Sequence, residues 1–477
     1  MKLNKFTSYS FIALTAFAVS SCNKIKDFGN TNVNPQEVTS LSTSAVLANA
    51  EVGIVGMANN TRAAMYCQYF SEAEYPSNSR YSIPQVSFGG NYSGTLRNLQ
   101  TVINQAANKN EAAVARILTQ YVYWYMTDLW GDIPYSQALK GSAVIPAYDK
   151  QEDIYKGMIA ELKAATATFV AGGIPSGDLY YGGDNAKWIK FANSMRAIMA
   201  LRLSKRYPGA TEYAATQFKD AIAPASGGVM ESNSDNCALA YPGSTYRNPY
   251  YETHLTARDL GESLPLVTLL NSLGDARQSV YGSSSVGVPY GWSEGNINTW
   301  REANPGWSRA FSDAYRTETY PMTIMNASQV YLARAEAADR GWTSENTSSM
   351  YVAGVTAGFT RWGLAAPSAA YFAQTANVLG AAGTNLKQIA TQRYIATFPD
   401  GAQGWAEWRR TGFPVLAPAA SPLSASHATI PRRYTYFTDE YTLNPAGVAA
   451  AVARLKGSFP GAQPGKDVQE NSVWWDE

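Results

Sequence analysis

The sequence predicts a mostly α-helical protein in which successive helices pack as pairs. Apolar and aromatic residues recur three or four positions apart in several long stretches, which is the spacing of an amphipathic helix. Many of these stretches begin at Asp or Asn and end before Gly or Pro, the residues that favour helix starts and stops. They are also rich in Ala and aromatic residues, which suits a scaffold of stacked helix pairs. A strict repeat of about 34 residues is missing, so the pattern indicates the class and not a repeat type.

The most informative helix is predicted to begin near Glu111 and to end before Gly131, with Pro134 as a second stop signal. Its apolar face contains Ala113, Ile117, Tyr121 and Trp124. Asp128 conflicts with the helix dipole, because a carboxylate in the last turn lies at the negative end. We therefore expect a buried Asp128 that is hydrogen-bonded to an Arg or to loop N–H groups, rather than a catalytic acid.

Further helices are predicted from their capping residues. Asp149 is the expected N-cap of one, because Glu152 follows three residues later as in a capping box. Others are expected to open at Asp184, ending at 207–209, and at Asn326, ending before Gly341. The remaining predicted helices span residues 348–359, 386–398 and 402–410.

The last of these helices contains four large side chains. Trp405 and Trp408 lie three residues apart, so we expect them on one face in the core rather than on a ligand surface. Arg409 and Arg410 lie at the C-terminal end, where we expect their positive charges to complement the helix dipole.

The composition is that of a globular protein, and it argues against nucleic-acid binding. Hydrophobic residues make up 45% of the 477 positions and charged residues 16%, which leaves ample material for a core. The formal net charge is +1, and no run of Lys and Arg forms a phosphate-binding stripe. The 12 Trp and 31 Tyr combine apolar rings with polar groups, which suits ligand surfaces as well as cores.

The first 21 residues are predicted to be a secretion signal peptide. Two lysines precede an apolar run from Phe11 to Val19, which is too short to span a bilayer. The following Ser-Ser-Cys22 resembles the end of a bacterial lipobox, in which the cysteine becomes the acylated first residue; ordinary cleavage before it is the alternative. We predict lipidation at Cys22, a tether over residues 22–45 and a folded body over residues 46–477.

Two cysteines remain in the body. Cys67 and Cys237 would lie in an oxidising compartment after export, and the sequence is compatible both with a disulfide between them and with two free thiols.

The stretch from Tyr123 to Leu139, Y-W-Y-M-T-D-L-W-G-D-I-P-Y-S-Q-A-L, resembles the hallmark segment of the SusD/RagB-like outer-membrane lipoproteins, in their SusD-like branch. Other motifs similar to those of the family follow in order over the mature chain: 184–193 with Arg196, 275–277 with Ala276 in place of proline, 333–342, 398–414 and 473–476. The resemblance implies TPR-like helix pairs that form a scaffold under a large irregular loop region. In this chain that region is expected at about residues 240–320.

The resemblance also implies a function. SusD-like proteins are non-catalytic lipoproteins that bind oligosaccharides and deliver them to a SusC-like TonB-dependent transporter in the outer membrane. We therefore expect a lipid-anchored protein that faces the cell exterior and needs no cofactor. RagB-like relatives serve peptides, so a peptide-binding lid is the alternative within the family.

Motifs for metal or nucleophilic chemistry are missing from the sequence. His254 and His427 are far apart and have no neighbouring Cys or His, so we expect no zinc site of ordinary spacing. Nucleophile elbows, P-loops and dinucleotide fingerprints are missing as well. A glycoside hydrolase with a pair of carboxylates is the enzymatic alternative, and its candidate acids in or near the loops are Glu252, Asp259, Glu262, Glu294 and Glu302.

Aromatic residues in the loops are the predicted ligand contacts. Pyranose rings have flat C–H faces that Tyr or Trp rings can cover, while polar side chains bind the hydroxyls. A half-buried tyrosine that only packs is equally ordinary, and this is the alternative for each residue. The candidates in the 240–320 region are Tyr246, Tyr250, Tyr251, Tyr290, Trp292, Trp300 and Trp307, and an earlier loop that continues through Tyr92 adds Tyr75 and Tyr81.

Overall fold

The computed structural model describes residues 42–82, 86–141, 145–174, 176–256, 259–423 and 429–477. The predicted signal peptide, Cys22, the tether up to residue 41 and His427 lie outside these ranges. Within the described residues, helix begins at Thr43, inside the 22–45 segment that we expected to be a tether. From Thr43 to Glu477 the chain forms one compact unit.

Helices make up most of the described chain. A short helical turn at Gly89–Asn91 and a π-helical turn at Tyr92–Leu96 lead into α3. In chain order the helices are α1 (Thr43–Ala58), α2 (Thr61–Tyr66), α3 (Arg97–Gln105), α4 (Lys109–Trp130), α5 (Gln151–Thr166), α6 (Asn185–Arg202), α7 (Tyr213–Ile222), α8 (Pro249–Thr256), α9 (Leu264–Ser272), α10 (Gln278–Tyr281), α11 (Glu294–Ala303), α12 (Ala327–Asp339), α13 (Thr347–Thr360), α14 (Ala369–Ala373), α15 (Leu386–Thr397), α16 (Gly401–Thr411), α17 (Thr438–Leu443) and α18 (Pro445–Arg454).

Short strands join distant parts of the chain as antiparallel pairs. β1 (Phe70–Glu72) pairs with β5 (Leu260–Glu262), with Ser71 opposite Gly261. β2 (Ile133–Pro134) pairs with β3 (Tyr148–Asp149), and β4 (Cys237–Leu239) pairs with β6 (Met322–Met325). The β1–β5 pair brings the N-terminal loop beside the 240–320 region.

Neighbouring helices pack on one another in two runs. In the first run, α3 packs on α4, α4 on α5, α5 on α6 and α6 on α7. In the second run, α12 packs on α13 and α15, and α15 packs on α16. The runs meet where α12 packs on α6 and where α16 packs on α4. This arrangement confirms the predicted mostly α class with helix pairs.

The predicted helix starts are mostly correct. The Asp184 carboxylate caps α6 by accepting hydrogen bonds from the backbone N–H groups of Ala186 and Lys187, and Asn326 forms a capping box with Gln329 at the start of α12. The predicted cap at Asp149 is wrong. Asp149 lies in β3, and its carboxylate accepts hydrogen bonds from the backbone of the 135–136 turn, so α5 begins after Lys150 instead.

Asp128 is buried and hydrogen-bonded, as predicted. Its Oδ1 accepts hydrogen bonds from the Tyr155 hydroxyl and, at 2.9 Å, from the Trp475 indole N–H. Burial raises its pKa, and the charge of Arg202, whose nearest nitrogen lies 3.8 Å from Oδ2, opposes that rise. Asp128 therefore holds the C-terminal tail against α4.

The predictions for both pairs in α16 are confirmed, because Arg409 and Arg410 lie in its last turn and Trp405 and Trp408 lie in the core. Both tryptophans are buried, as expected. Both arginines are buried as well, so they also contact neighbouring elements. Arg409 donates to the backbone carbonyls of Asp128 and of residue 432, at 2.8 Å and 2.6 Å, so it connects α16 to the end of α4.

Cys67 and Cys237 are buried free thiols. Burial raises the pKa of both thiols well above the ordinary value of 9.0, so they stay protonated. The structure therefore favours two inert thiols over a disulfide.

Candidate ligand-binding groove

The 240–320 region is more ordered than we expected. It contains α8, α9, α10, α11 and β5, and only the connecting segments are irregular. These segments, rather than the helices, position most of the predicted aromatic residues.

Four of the predicted contacts are buried in the protein; Tyr290, which is 7% exposed, is described with the groove below, and the other three pack as follows. Tyr81 packs edge-to-face against Tyr66, and Tyr250 packs against Phe70 and Phe311. The ring of Trp307 is covered by the Arg309 guanidinium, which lies 3.2 Å from the ring centroid. Tyr81, Tyr250 and Trp307 are all nearly inaccessible to solvent, so they present no ring face to a sugar. We therefore assign all three to packing.

Tyr290 and Trp292 line one groove of about 560 Å³, in which Trp292 is half-buried and only 7% of Tyr290 is exposed. We call it the Tyr290–Trp292 groove. Its remaining described lining residues are mostly apolar: Gln68, Leu264, Pro265, Thr268, Leu269, Pro289, Tyr394, Pro414, Val415, Leu416, Ala417, Pro418 and Ala420. A groove of this volume suits a small ligand or one end of an oligomer.

Gln68 joins the walls of this groove. The side-chain Nε2 of Gln68 donates a 2.5 Å hydrogen bond to the Ala417 carbonyl. The backbone carbonyl of Gln68 accepts a hydrogen bond from the hydroxyl of Ser263, just before α9. The backbone of Gln68 has a φ of 60°, in the left-handed region that residues other than glycine seldom adopt. Such conformations are concentrated at binding sites, where surrounding contacts maintain them.

The backbone between Tyr290 and Trp292 requires a glycine. Gly291 has a φ of 63°, and a Cβ there would lie 2.4 Å from the Cβ of Ala419. This close approach lets the carbonyl of Gly291 accept a hydrogen bond from the Ser421 N–H at 2.8 Å. The Tyr81 hydroxyl accepts another from the Ala419 N–H at 2.7 Å. The 419–421 segment is thus held against Tyr290 and Trp292.

Trp292 also belongs to a small apolar cluster beside the groove. Trp292 and Trp300 are half-buried and pack on Ala73, Val288, Ile297 and Trp307. The cluster is linked to the N-terminal loop, because Arg301 forms a 2.8 Å ion pair with Glu74. Tyr75 follows Glu74 directly and is 64% exposed. The structure therefore brings the loop that carries Tyr75 beside α11, the helix that carries Trp300.

Tyr246 and Tyr251 do not line the groove. Tyr246 is 63% exposed in a turn that Gly243 closes with a hydrogen bond to its carbonyl. Tyr251 is half-buried on α8. Tyr246 is free to contact a ligand only outside the groove.

Several groove residues were not among the predicted contacts, above all Gln68, Leu264 and the 414–420 segment. The available signal was a Pro- and Ala-rich stretch, Pro414-Val-Leu-Ala-Pro-Ala-Ala420, directly after a helix. Val415 in it is 83% exposed, and an apolar side chain this exposed within such a run favours a contact surface.

The carboxylates proposed for a hydrolase do not form a catalytic pair in the groove. None of the described lining residues is charged. Glu262, the last residue of β5, is buried; the Ser308 hydroxyl donates a 3.0 Å hydrogen bond to its carboxylate, and burial raises its pKa to about 8. Glu252 is exposed and forms an ion pair with Arg247. Glu294 and Glu302 are exposed on α11, and burial raises the pKa of the half-buried Asp259.

Comparisons with known proteins agree with this architecture. A SusD-like family model described as "Starch-binding associating with outer membrane" matches residues 35–437. A solved chitin-binding protein is 28% identical, with a TM-score of 0.77 over 91% of this chain and 100% of its own. A chitin-binding SusD homolog from Flavobacterium johnsoniae is 26% identical, with a TM-score of 0.79 over 91% and 98% of the two chains. A SusD homolog from Bacteroides ovatus is 25% identical, with a TM-score of 0.78 over the same shares. Comparison with curated proteins gives no match.

SusD-like proteins are carbohydrate-binding, non-catalytic proteins, and the family is associated with the outer membrane. The hydrolase alternative is therefore wrong. No helix in the described part of the chain is both long and apolar enough to cross a membrane. Because the family model covers most of the sequence and the solved relatives share the fold over nine-tenths of it, the chain belongs to the SusD-like family.

Proposed function

We propose that this protein captures oligosaccharides in the Tyr290–Trp292 groove and delivers them to a SusC-like TonB-dependent transporter. The observation that carries the proposal is the position of Tyr290 and Trp292 in one uncharged groove on a SusD-like body. The half-buried indole of Trp292 suits the C–H face of a pyranose, and the half-buried Trp300 and exposed Tyr75 extend the aromatic surface beyond the groove.

The proposal places the protein on the outer membrane, anchored by lipid at Cys22 and facing the cell exterior. The lipobox-like leader and the outer-membrane association of the family support this location. A tethered binding site beside its transporter acts at high effective concentration, so a modest affinity for the free glycan is enough.

A peptide ligand is the second candidate. Proline, leucine and valine side chains line much of the groove, and such a surface suits an apolar peptide as well as a sugar. The two candidates predict different retained molecules, so one experiment separates them.

The test incubates the purified protein with a mixed pool of plant, host and microbial oligosaccharides and of peptides. Mass spectrometry then identifies the retained and released fractions. We expect an unaltered glycan in the retained fraction. Retention of peptides alone would favour the second candidate, and retention of nothing would contradict both.

The partner requires a separate measurement. We expect that affinity purification from native outer membranes recovers a large TonB-dependent β-barrel protein. Recovery of the tagged protein without any such barrel, under mild detergent conditions that preserve other membrane complexes, would contradict delivery to a transporter.

A further inference from the structure

We propose that residues 414–423 form the specificity-determining wall of the Tyr290–Trp292 groove. We call this segment the 414–423 strap. The inference rests on the proposed function and names the part of the site that selects between ligands. Of the described lining residues, the strap supplies more than any other continuous segment: Pro414, Val415, Leu416, Ala417, Pro418 and Ala420. The rest of the protein fixes its backbone, and most of its side chains are left to contact a ligand.

The first half of the strap is held by two side chains from the N-terminal part of the chain. Gln68 Nε2 donates a hydrogen bond to the backbone carbonyl of Ala417 at 2.5 Å. The Tyr81 hydroxyl accepts a hydrogen bond from the backbone N–H of Ala419 at 2.7 Å. Both bonds use main-chain atoms of the strap, so neither requires a particular strap side chain.

The second half of the strap is held in the same way. The carbonyl of Ser421 accepts a 2.6 Å hydrogen bond from Arg80 Nε, and its N–H donates to the Gly291 carbonyl at 2.8 Å. The N–H of Leu423 donates to the Arg80 carbonyl at 2.9 Å. Among the described residues, none of the hydrogen bonds that attach the strap uses a side chain of the strap. Substitutions in it therefore leave the attachment intact, except at Ala419, which is buried against Gly291.

Two of the anchoring residues have an uncommon backbone conformation. The φ angles of Gln68 and Tyr81 are 60° and 63°, in the left-handed region that residues other than glycine seldom adopt. Such conformations persist only where surrounding contacts maintain them, and they are concentrated at binding sites. Because both side chains bond to the strap, the strain at these two positions is coupled to the position of one groove wall.

The loop that carries Arg80 and Tyr81 is itself tied to a buried carboxylate. Glu72 is 5% exposed in β1, and its Oε2 accepts hydrogen bonds from the backbone N–H groups of Asn78 and Ser79 at 2.9 Å and 3.0 Å. Hydrogen bonds to an ionised carboxylate are stronger than those between neutral groups. The strap is therefore attached to a preorganised support, and a preorganised wall loses little freedom when a ligand binds.

The side chains of the strap form an exposed apolar surface. Val415 is 83% exposed. Three further lining residues of the strap are exposed as well: Ala417, Pro418 and Ala420. Prolines at positions 414, 418 and 422 have a fixed φ, which stiffens the segment. None of the described lining residues of the groove is charged, so a single new charge on the strap should dominate its preference for ionic ligands.

The test places opposite charges on the strap. Isothermal titration calorimetry at low ionic strength measures the affinity of the full-length protein, in detergent, for tetragalacturonate, a tetramer with a carboxylate on each sugar. We expect Val415→Lys to bind it about tenfold more tightly than Val415→Glu, because the new charge acts in a groove without competing charges. Leu443→Lys and Leu443→Glu, at a 66% exposed leucine on α17, are the matched controls and should not differ.

The outcomes separate the inference from the proposed function. Equal affinities of the two Val415 variants, or no binding by Val415→Lys, would overturn the inference. If the parent protein still retains a glycan from the mixed pool, the proposed function survives that result. If the parent protein retains nothing from the pool, the proposed function fails and the inference fails with it. A difference between the Leu443 variants as large as that at Val415 would also overturn the inference, since any surface charge would then have this effect.

The attachment of the strap has its own test by hydrogen–deuterium exchange and mass spectrometry. Tyr81→Phe removes only the hydroxyl that accepts from Ala419, so we expect exchange in peptides covering 414–423 to become at least about tenfold faster. Tyr331→Phe removes a hydroxyl that donates to the Glu231 carbonyl, and it should leave exchange in the strap unchanged. Unchanged exchange in Tyr81→Phe, or unprotected strap amides in the parent protein, would show that the strap is not fixed and would overturn the inference.

Discussion

Arg410 and Glu336 form a two-pronged ion pair that joins α16 to α12. The two guanidinium nitrogens lie 2.6 Å and 2.5 Å from the two carboxylate oxygens, and both side chains are almost completely buried. Burial alone would raise the pKa of Glu336, but the positive charges of Arg410 and Arg340 outweigh it and hold the pKa well below its ordinary value of 4.5. The pair therefore stays ionised in the core.

Removing one member of this pair should strongly destabilise the fold. Arg410→Met leaves Glu336 and the neighbouring Glu407 buried with less compensating charge, and we expect a loss of about 3–5 kcal/mol in the free energy of unfolding, measured with urea. Lys163→Met breaks an exposed ion pair with Asp220 and is the control, with an expected change below about 1 kcal/mol. Equal effects would show that burial does not matter here.

A pair of glycine substitutions tests the close contact between α16 and α2. A Cβ on Gly401 would lie 2.2 Å from the backbone nitrogen of Ala64, so Gly401→Ala should cost about 1–3 kcal/mol or more. Gly295 occupies a similar place near the start of α11 but has open space around it, so Gly295→Ala should raise stability by up to about 1 kcal/mol. Urea unfolding of the two variants measures both effects, and a neutral Gly401→Ala would contradict the packing.

Glu262 should make the stability depend on pH. Its pKa rises from 4.5 in the unfolded chain to about 8 in the folded one because the side chain is buried. Between these values the folded state holds a proton that the unfolded state has lost, so this group's contribution to stability falls as pH rises from 4.5 to 8.

The neutral variant Glu262→Gln removes this dependence. We expect its free energy of unfolding, relative to that of the parent protein, to be higher at pH 8.5 than at pH 5 by on the order of 3 kcal/mol. The measurement at pH 5 is the internal control, because both side chains are then neutral in the folded protein. The same difference at both pH values would mean that Glu262 is ionised when buried.

Trp292 is the single aromatic residue whose loss should most reduce ligand affinity. It lines the groove and remains half-buried, so its ring can contact both the protein and a ligand. Trp292→Ala should weaken glycan binding roughly tenfold or more while causing only modest destabilisation. Trp474→Ala removes another half-buried tryptophan, one that lies over Arg206 outside the groove, and should leave affinity unchanged in the same titration.

Local signals in the sequence predicted local structure well. Asp184 and Asn326 were identified as helix caps because capping depends on the next three residues only. Asp149 misled the same rule, since the 135–136 turn competes for its carboxylate. This turn lies 13 to 14 residues before Asp149, outside the few residues that a capping pattern includes.

The groove was only partly predictable, for the same physical reason. Tyr290 and Trp292 were recognised from composition, but the hydrogen bond from Gln68 to Ala417 spans 349 residues and leaves no local pattern. Tyr81 and Tyr250 were wrongly expected at the surface, because the sequence of a loop does not show which of its aromatic side chains point inward.

The separation between the buried contacts of the helices and the exposed lining of the groove has an evolutionary consequence. The buried ion pairs belong to the packed helices, whereas Val415, Leu264 and Thr268 line the groove and are exposed. Mutations at these exposed positions alter the ligand-binding surface with little loss of folding stability. Natural selection can therefore change which nutrient the protein binds while the fold is preserved. Paralogues that arise by gene duplication can thus diverge in the nutrient they capture while keeping one inherited framework.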